Sequence, residues 1–220
     1  MAAQPKYVGN HLWFPDPDLA DPEGLVAFGG EMTVSRLLLA YSTGVFPWTA
    51  DPVTWWSPDP RAIIELDELH VPRSLAKVLN RGRFSVTINK AFVEVMHGCA
   101  EPARGRGETW ISPEFLQAYH RLHIAGHAHS LECWTDNQLA GGIYGVAIGG
   151  FFAGESMFHR VSDASKVALY HLVCHLRERG FELFDIQMLT PVTKALGGRN
   201  IPRTDYLARL KKAIAAPGRF

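Results

Sequence analysis

Polar side chains stand inside two segments that otherwise have the composition of buried strands. Residues 150–158 read GFFAGESMF and contain Glu155, and residues 183–189 read LFDIQML and contain Asp185 and Gln187. Strand alternation points Asp185 and Gln187 to one face and their apolar neighbours to the other. Because an unpaired polar group is costly to bury, each of the three needs a partner. They are either hydrogen-bonded core residues at strand ends or members of one shared site.

The region before the second segment has the pattern of an antiparallel meander. Residues 127–135, 139–148 and 151–158 are β-like runs. Turn signals separate them at residues 136–138 and 149–150. We therefore expect three antiparallel strands in consecutive order, with Glu155 on the third.

A helix and a further strand follow the meander. Residues 162–179 have apolar side chains at helical spacing and end at Gly180, after which residues 181–189 return as a strand. A strand, a crossover helix and another strand indicate a parallel pair. The predicted fold class is α+β (mixed αβ) with a mixed, mostly antiparallel sheet, a pattern that resembles the middle of a GNAT-type N-acyltransferase fold.

The first part of the chain differs in composition. Residues 7–61 are dense in Pro and Trp, which predicts a loop-rich unit with one helix at residues 33–43, capped by Thr33. We expect a small N-terminal domain, residues 1–62, and a GNAT-like catalytic domain, residues 63–220.

A basic segment lies between residues 69 and 93. It contains no acidic residue and five basic ones, namely Arg73, Lys77, Arg81, Arg83 and Lys90. A short helix is expected at residues 72–80, between strands at 62–66 and 84–88. The first three basic residues are four apart, so a helix would align them at a spacing suited to phosphates. The alternative is a solvated basic face.

The overall composition excludes several classes of protein. The chain has 22 basic and 22 acidic residues, so a polyanion must be held by a local patch. Cys99, Cys133 and Cys174 are odd in number and lack metal-ligand spacing, which favours a reducing compartment. No secretory leader and no run of membrane-spanning length is present, so we expect a cytoplasmic protein. The His-rich residues 120–129 could converge on a metal, but their spacing does not imply it, and no metal site is predicted.

The link between the third strand and the helix bears on the cofactor. Residues 159–166 read HRVSDASK and contain no glycine. Acetyltransferases of this fold hold the pyrophosphate of coenzyme A on a Gly-rich loop at the helix N-terminus. A coenzyme A-dependent N-acetyltransferase is therefore disfavoured as a competing hypothesis, and no cofactor is expected.

Long and compositionally unusual motifs resemble those of the leucyl/phenylalanyl-tRNA–protein transferase family over nearly the whole chain. They are GLVAFGG at 24–30, AYSTGVFPW at 40–48, WWSPDPR at 55–61, TWI at 109–111, AYHRLH at 118–123, GGIYGV at 141–146, GESMF at 154–158 and DIQ at 185–187. The resemblance implies transfer of Leu or Phe, with Met as a further donor, from aminoacyl-tRNA to proteins that begin with Arg or Lys. It also implies a role in N-end-rule degradation. We expect a monomer that contacts the tRNA at its 3′ end and acceptor stem and has no membrane partner.

The resemblance also implies a donor site. Trp48 and Trp110 would stack on the aminoacyl-adenosine, and an apolar pocket would hold the amino-acid side chain. The pocket positions are Ile143, Phe152, Leu172, Leu176 and Phe184. Members of the family have other apolar types at several of these positions, so the preference among donors stays open. The tRNA backbone is expected on Arg73, Lys77, Arg81 and Arg83.

Aminolysis of an activated ester requires an oriented, neutral amine and a stabilised oxyanion. The expected catalytic residues are Asp185, Gln187 and Glu155. Asp185 would position Gln187, whose amide orients the attacking amine, and either could help to remove its proton. Glu155 would accept from the aminoacyl α-amino group or receive a basic N-terminal side chain. A non-catalytic adaptor for tRNA or basic N-termini is the alternative from another class.

Overall fold

The computed structural model describes residues 5–102 and 109–220. Two β-sheets form its framework, and helices cover both faces of the larger one. The fold class is α+β with a mixed sheet, as the sequence predicts.

The first part of the chain forms a four-stranded sheet and one helix. The sheet has the order β1-β2-β4-β3, and β1 pairs with β2 in parallel while the other pairs are antiparallel. Its strands are β1 (Lys6–Tyr7), β2 (Leu25–Phe28), β3 (Phe46–Ala50) and β4 (Val53–Trp56). The sequence did not predict these strands, because strands of two to five residues interrupted by Pro and Gly show no clear alternation.

The helix of this unit, α1, spans Val34–Ser42. The side chain of Thr33 accepts a hydrogen bond from the backbone N–H of Arg36, which caps the helix as predicted.

The larger sheet has seven strands in the order β11-β5-β10-β9-β8-β7-β6. Among the described strand pairs of this larger sheet only β9–β10 is parallel, which confirms the predicted crossover and the antiparallel meander before it. The strands are β5 (Arg61–Ile64), β6 (Ser85–Ile88), β7 (Ala128–Thr135), β8 (Gln138–Ile148), β9 (Phe151–His159), β10 (Leu183–Gln187) and β11 (Arg199–Ile201).

Six further helices pack around this sheet in the described part of the chain, accompanied by short 3-10 turns at Pro17–Leu19 and Leu66–Glu68. They are α2 (Arg73–Asn80), α3 (Phe92–Ala100), α4 (Pro113–Ile124), α5 (Ala164–Glu178), α6 (Pro191–Ala195) and α7 (Arg203–Ala215). The helices expected at 33–43, 72–80 and 162–179 are confirmed within two residues at each end. No prediction was made for α3, α6 or α7.

Two apolar cores lie on opposite faces of the larger sheet. The first contains side chains from α1, α3, α4 and α7 together with Trp55 and Phe151. The second contains the apolar face of α5 together with Phe152 and Phe184. Because successive strand residues alternate, β9 and β10 contribute to both cores. The N-terminal unit packs on the first core, so its residues can reach one face of β9 and β10.

Candidate active site

The parallel strands β9 and β10 separate at the middle of the sheet. Their pairing runs from Leu183 opposite Phe151 to Asp185 opposite Ala153. At this point β9 has a bulge of one extra residue relative to β8, and β10 has a bulge of one extra residue relative to β5. Bulges bend a strand and re-aim its side chains. The two bulges therefore bracket an opening between β9 and β10.

This opening is a cavity of about 610 Å³. Its wall combines side chains from both cores, since the gap runs between the strands: Trp48 and Trp110 belong to the first, and Ile143 and Leu169 to the second. The other described lining residues are Phe46, Pro47, Cys99, Glu101, Thr109, Gly154, Glu155, Ser156, Met157, Ile186, Gln187, Met188, Thr190, Pro191, Val192 and Thr193. The cavity is thus largely apolar, with a few polar groups from the strand ends.

Glu155 and Gln187 meet across the opening. The Gln187 side chain donates from Nε2 to Oε1 of Glu155 at 2.8 Å, and the Tyr119 hydroxyl donates to Oε2 at 3.0 Å. Burial raises the pKa of Glu155 to about 7, and the charge of Asp185 adds to the rise, whereas the hydroxyls of Tyr41 and Tyr119 and the amide of Gln187 oppose it. Near neutral pH this carboxyl group can therefore exchange a proton.

Asp185 occupies a different environment from Glu155. Its side chain is 0% exposed, and Arg61 binds it through two bonds, Nε to Oδ1 at 2.9 Å and Nη2 to Oδ2 at 2.7 Å. The Tyr206 hydroxyl donates to Oδ2 at 2.9 Å, and the backbone N–H of Gln187 donates to Oδ1 at 2.8 Å. Asp185 lies behind the cavity wall and acts on Gln187 through its backbone.

Gln187 has an unusual backbone, with φ at +58°. A non-glycine residue in this left-handed region is costly, so the surrounding contacts must hold it there. The bond from its N–H to Asp185 and the bond from its side chain to Glu155 do so from opposite ends of the residue. The structure brings the expected partners Asp185 and Gln187 together. Asp185 accepts from the main-chain N–H of Gln187, whereas Glu155 accepts from its side-chain amide.

Arg61 is a site residue that the sequence reasoning missed. Its guanidinium also donates to the carbonyl of Gly44 at 3.1 Å and lies 4.7 Å from the ring centroid of Phe46. Burial alone would lower the pKa of Arg61, but the charge of Asp185 raises it above its ordinary value. The available signal was a basic residue at the start of the apolar run RAII, because a charge there needs a buried partner.

The expected donor-site residues fall into two groups. Trp48, Trp110 and Ile143 line the cavity. The other four are buried in the second core and are not among the described lining residues; they are Phe152, Leu172, Leu176 and Phe184. On α5 it is Leu169 that reaches the wall, one turn before Leu172. The two α5 positions that the resemblance implies, Leu172 and Leu176, lie further along the same helix, in the second core.

The expected phosphate-binding residues are all exposed. Arg73 and Lys77 lie on α2, and Arg81 follows its last turn. Arg83 lies between this point and β6, with its guanidinium 5.5 Å from the ring centroid of Phe84. The buried Leu75 anchors the opposite side of the helix. The basic side chains are therefore available to an external partner.

The link from β9 to α5 bears on coenzyme A. Asp163 immediately precedes α5 with φ at +70°, and Lys166 donates to its carboxylate at 2.8 Å. The carboxylate makes no cap hydrogen bond to the N–H groups of α5, but it places a negative charge near the helix N-terminus, where a pyrophosphate would bind.

A metal site and a membrane span are both absent from the described residues. Residues 5–102 and 109–220 contain no group of three or more His, Cys, Asp or Glu side chains arranged to hold a metal ion. Within these ranges no helix is both long and apolar enough to cross a membrane.

The chain matches one known protein family over most of its length. The family described as leucyl/phenylalanyl-tRNA protein transferase matches residues 63–211, and the N-terminal domain of that family matches residues 30–59. The chain belongs to this family. The leucyl/phenylalanyl-tRNA–protein transferase of Anaeromyxobacter sp. (strain Fw109-5) is 50% identical over 207 residues, which cover 93% of this chain and 88% of that protein.

The chain is also similar to other proteins. The leucyl/phenylalanyl-tRNA–protein transferase of Thiobacillus denitrificans is 49% identical over 212 residues, 94% of this chain and 93% of that protein. Among solved structures, L-PGS from Bacillus licheniformis has a TM-score of 0.43 and 13% identity, covering 70% of this chain and 50% of that one. A GCN5-related N-acetyltransferase from Kribbella flavida has a TM-score of 0.42 and 11% identity, with coverage of 74% and 59%.

Proposed function

We propose that this protein transfers Leu or Phe, and Met as a further donor, from aminoacyl-tRNA to the α-amino group of proteins that begin with Arg or Lys. Such transfer marks the acceptor for N-end-rule degradation. The observation that supports this most is the convergence of Gln187 and Glu155 on an apolar cavity flanked by two tryptophans, in a chain of the leucyl/phenylalanyl-tRNA–protein transferase family.

The reaction needs orientation more than covalent help from the protein. The ester of aminoacyl-tRNA is already activated, so holding the amine at the carbonyl carbon supplies much of the acceleration. We assign this role to the Gln187 amide, whose Nε2 is fixed by Glu155 and whose oxygen can accept from the attacking amine. Asp185 supports Gln187 from behind through its backbone N–H.

The donor site follows from the two sides of the cavity. Trp48 and Trp110 offer aromatic faces to the terminal adenosine, since stacking on a base needs an accessible ring. Both are partly exposed at the cavity wall. The donor side chain enters between Ile143 and Leu169, with the buried Phe152, Leu172, Leu176 and Phe184 shaping this wall from behind.

The rest of the tRNA lies outside the cavity. Its 3′ end enters the donor site, and its acceptor stem runs over the basic residues Arg73, Lys77, Arg81 and Arg83. We expect the enzyme to act as a monomer in the cytoplasm, where aminoacyl-tRNA is available, without a cofactor or a metal ion.

The first prediction distinguishes an enzyme from a non-catalytic adaptor. In single-turnover assays with aminoacyl-tRNA and a peptide that begins with Arg, Asp185→Ala and Gln187→Ala should each slow transfer by at least about tenfold. The double variant should be little worse than either single variant, because Asp185 acts through Gln187. The affinity for tRNA, measured in parallel, should stay close to that of the wild type.

A matched control for Asp185→Ala is Glu132→Ala. Glu132 is also 0% exposed and accepts from Thr87 and Ser130, but it lies on β7 and is not among the described residues that line the cavity. It should lose stability and keep the transfer rate of its folded fraction. If the two losses multiplied in the double variant, Asp185 and Gln187 would act independently and not as one unit. If the wild type showed no transfer, only the hypothesis of a non-catalytic adaptor would remain.

The second prediction concerns the basic helix. Replacing Arg73, Lys77 and Arg81 with Ala should weaken tRNA binding and reduce the slope of log affinity against log salt by roughly one per lost phosphate contact. Transfer from an aminoacyl-adenosine, which lacks the phosphate backbone, should stay nearly unchanged. The control triple Arg121, Arg179 and Lys212 removes the same charge from other exposed positions. Equal effects of the two triples would make α2 an ordinary solvated face.

The third prediction compares two leucines of α5. Leu169→Trp should fill the cavity and slow Phe transfer more than Leu transfer, since steric overlap grows with the larger donor. Leu172→Trp, one turn further along and 1% exposed, should overpack the core, lower the melting temperature and slow both donors equally. Donor-selective loss in Leu172→Trp but not in Leu169→Trp would place the donor pocket one turn further along α5, at Leu172.

A further inference from the structure

Two buried tyrosines connect Glu155 to the N-terminal unit. Tyr119 on α4 donates to Glu155, and its hydroxyl is hydrogen-bonded to that of Tyr41 on α1. Because Tyr119 uses its only hydrogen on Glu155, Tyr41 donates to Tyr119. Burial, together with the charge of Glu155, raises the pKa of both hydroxyls well above the ordinary value. Both tyrosines therefore remain protonated and act as fixed donors.

Resting on the proposed function, we propose that Glu155 takes the proton that the acceptor's α-ammonium group must lose before attack, and that Tyr119, supported by Tyr41, positions Glu155 for this step. The tyrosines are positioning residues, whereas Glu155 touches the reacting group.

The geometry leaves Glu155, but not Asp185, accessible to an amine in the cavity. Both oxygens of Asp185 are enclosed by Arg61, Tyr206 and the Gln187 backbone, and its side chain has no exposed surface. Glu155 is 8% exposed and lines the cavity beside the Gln187 amide. A carboxylate has about four lone-pair sites. The bonds from Gln187 and Tyr119 leave room for an amine on the cavity side.

The proposed step balances without a further reactant. One proton moves from the α-ammonium nitrogen to a Glu155 oxygen, and the neutral amine forms a bond to the ester carbonyl carbon. When the tetrahedral intermediate collapses, the carbon–oxygen ester bond breaks and its electron pair goes to the ribose oxygen. That oxygen takes the second proton lost by nitrogen, and Glu155 releases its proton to solvent.

Charged and titratable groups surround Glu155 from every packed element. They are Asp185 on β10, Arg61 on β5, Tyr206 on α7, Tyr144 on β8, Tyr41 on α1, Tyr119 on α4 and Cys99 on α3, which lines the same cavity. The net result is a pKa of about 7 for Glu155, with burial as the largest cause. The carboxylate form increases as pH rises through this value, so the transfer rate should rise with it.

The test uses the hydrogen bond from Tyr119. That bond favours the charged form, so Tyr119→Phe should raise the pKa of Glu155 and move the acidic limb of the single-turnover rate upward by about one pH unit. At the alkaline plateau the rate should return close to that of the wild type. Glu155→Gln, which keeps the shape but cannot accept a proton, should lose transfer by at least about tenfold at every pH.

Tyr144→Phe is the matched control. Tyr144 is as deeply buried as Tyr119, its ring lies 5.8 Å from that of Tyr119, and its hydroxyl has no hydrogen-bond partner among the described residues. The profile of single-turnover rate against pH for Tyr144→Phe should match that of the wild type. The α-amine of the peptide also titrates near pH 8, but it is the same in all assays. A difference between the Tyr119→Phe and Tyr144→Phe profiles therefore reports the enzyme.

Three results would overturn the inference. They are identical profiles for the two phenylalanine variants, a wild-type rate in Glu155→Gln, or a raised KM for the Arg peptide with unchanged kcat in Glu155→Gln. The last would make Glu155 a ligand of the basic N-terminal side chain. In each case the wild type still transfers, so these results differ from a failure of the proposed function, in which the wild type would not transfer at all.

Discussion

The buried ion pair between Arg61 and Asp185 is the constraint on which the candidate site depends. Both side chains are almost completely inaccessible, and their two parallel hydrogen bonds satisfy the geometry that makes such a pair tolerable. Loss of one partner would strand a charge, at a cost of about 3–5 kcal/mol. The pair therefore fixes β5 against β10. Through Gly44 it also fixes the N-terminal unit against the larger sheet.

The same pair explains how a strained residue is held at the cavity. Gln187 follows a bulge and has a left-handed backbone, a conformation that costs on the order of 1–3 kcal/mol for such a residue. Asp185 is oriented by Arg61 and Tyr206, and it holds the N–H of Gln187 in this conformation. The amide is thereby directed at Glu155. The two carboxylates are thus placed differently: Asp185 is enclosed by its partners, and Glu155 faces the cavity.

The sequence predicted the parts of this arrangement that follow from periodicity. Long strands and helices such as Gln138–Ile148 and Ala164–Glu178 have clear alternation or helical spacing, and the polar residues within apolar strands were identified as site candidates. The short strands of the N-terminal sheet were missed because two to five residues do not establish a period. Residue spacing also could not reveal the bulges, which lie where β9 and β10 separate.

The partners of the site residues were the least predictable part. Arg61 lies 124 positions before Asp185, and Tyr119 lies 36 positions before Glu155, so only the tertiary fold brings them together. A tyrosine on the apolar face of a helix is an ordinary core residue by pattern. Nothing in the local sequence of Tyr41 or Tyr119 distinguishes a hydroxyl that orients a carboxylate from one that merely packs.

We expect the Arg61–Asp185 pair to hold Gln187 in its left-handed conformation, with the amide directed at Glu155. The most direct test is a crystal structure of the double variant Arg61→Met/Asp185→Leu, in which both charges are replaced by apolar groups and the fold can survive. The account predicts that Gln187 leaves the left-handed region and that its Nε2 no longer lies within hydrogen-bond distance of Glu155. A variant structure in which Gln187 keeps φ near +58° and its 2.8 Å bond to Glu155 would contradict the account.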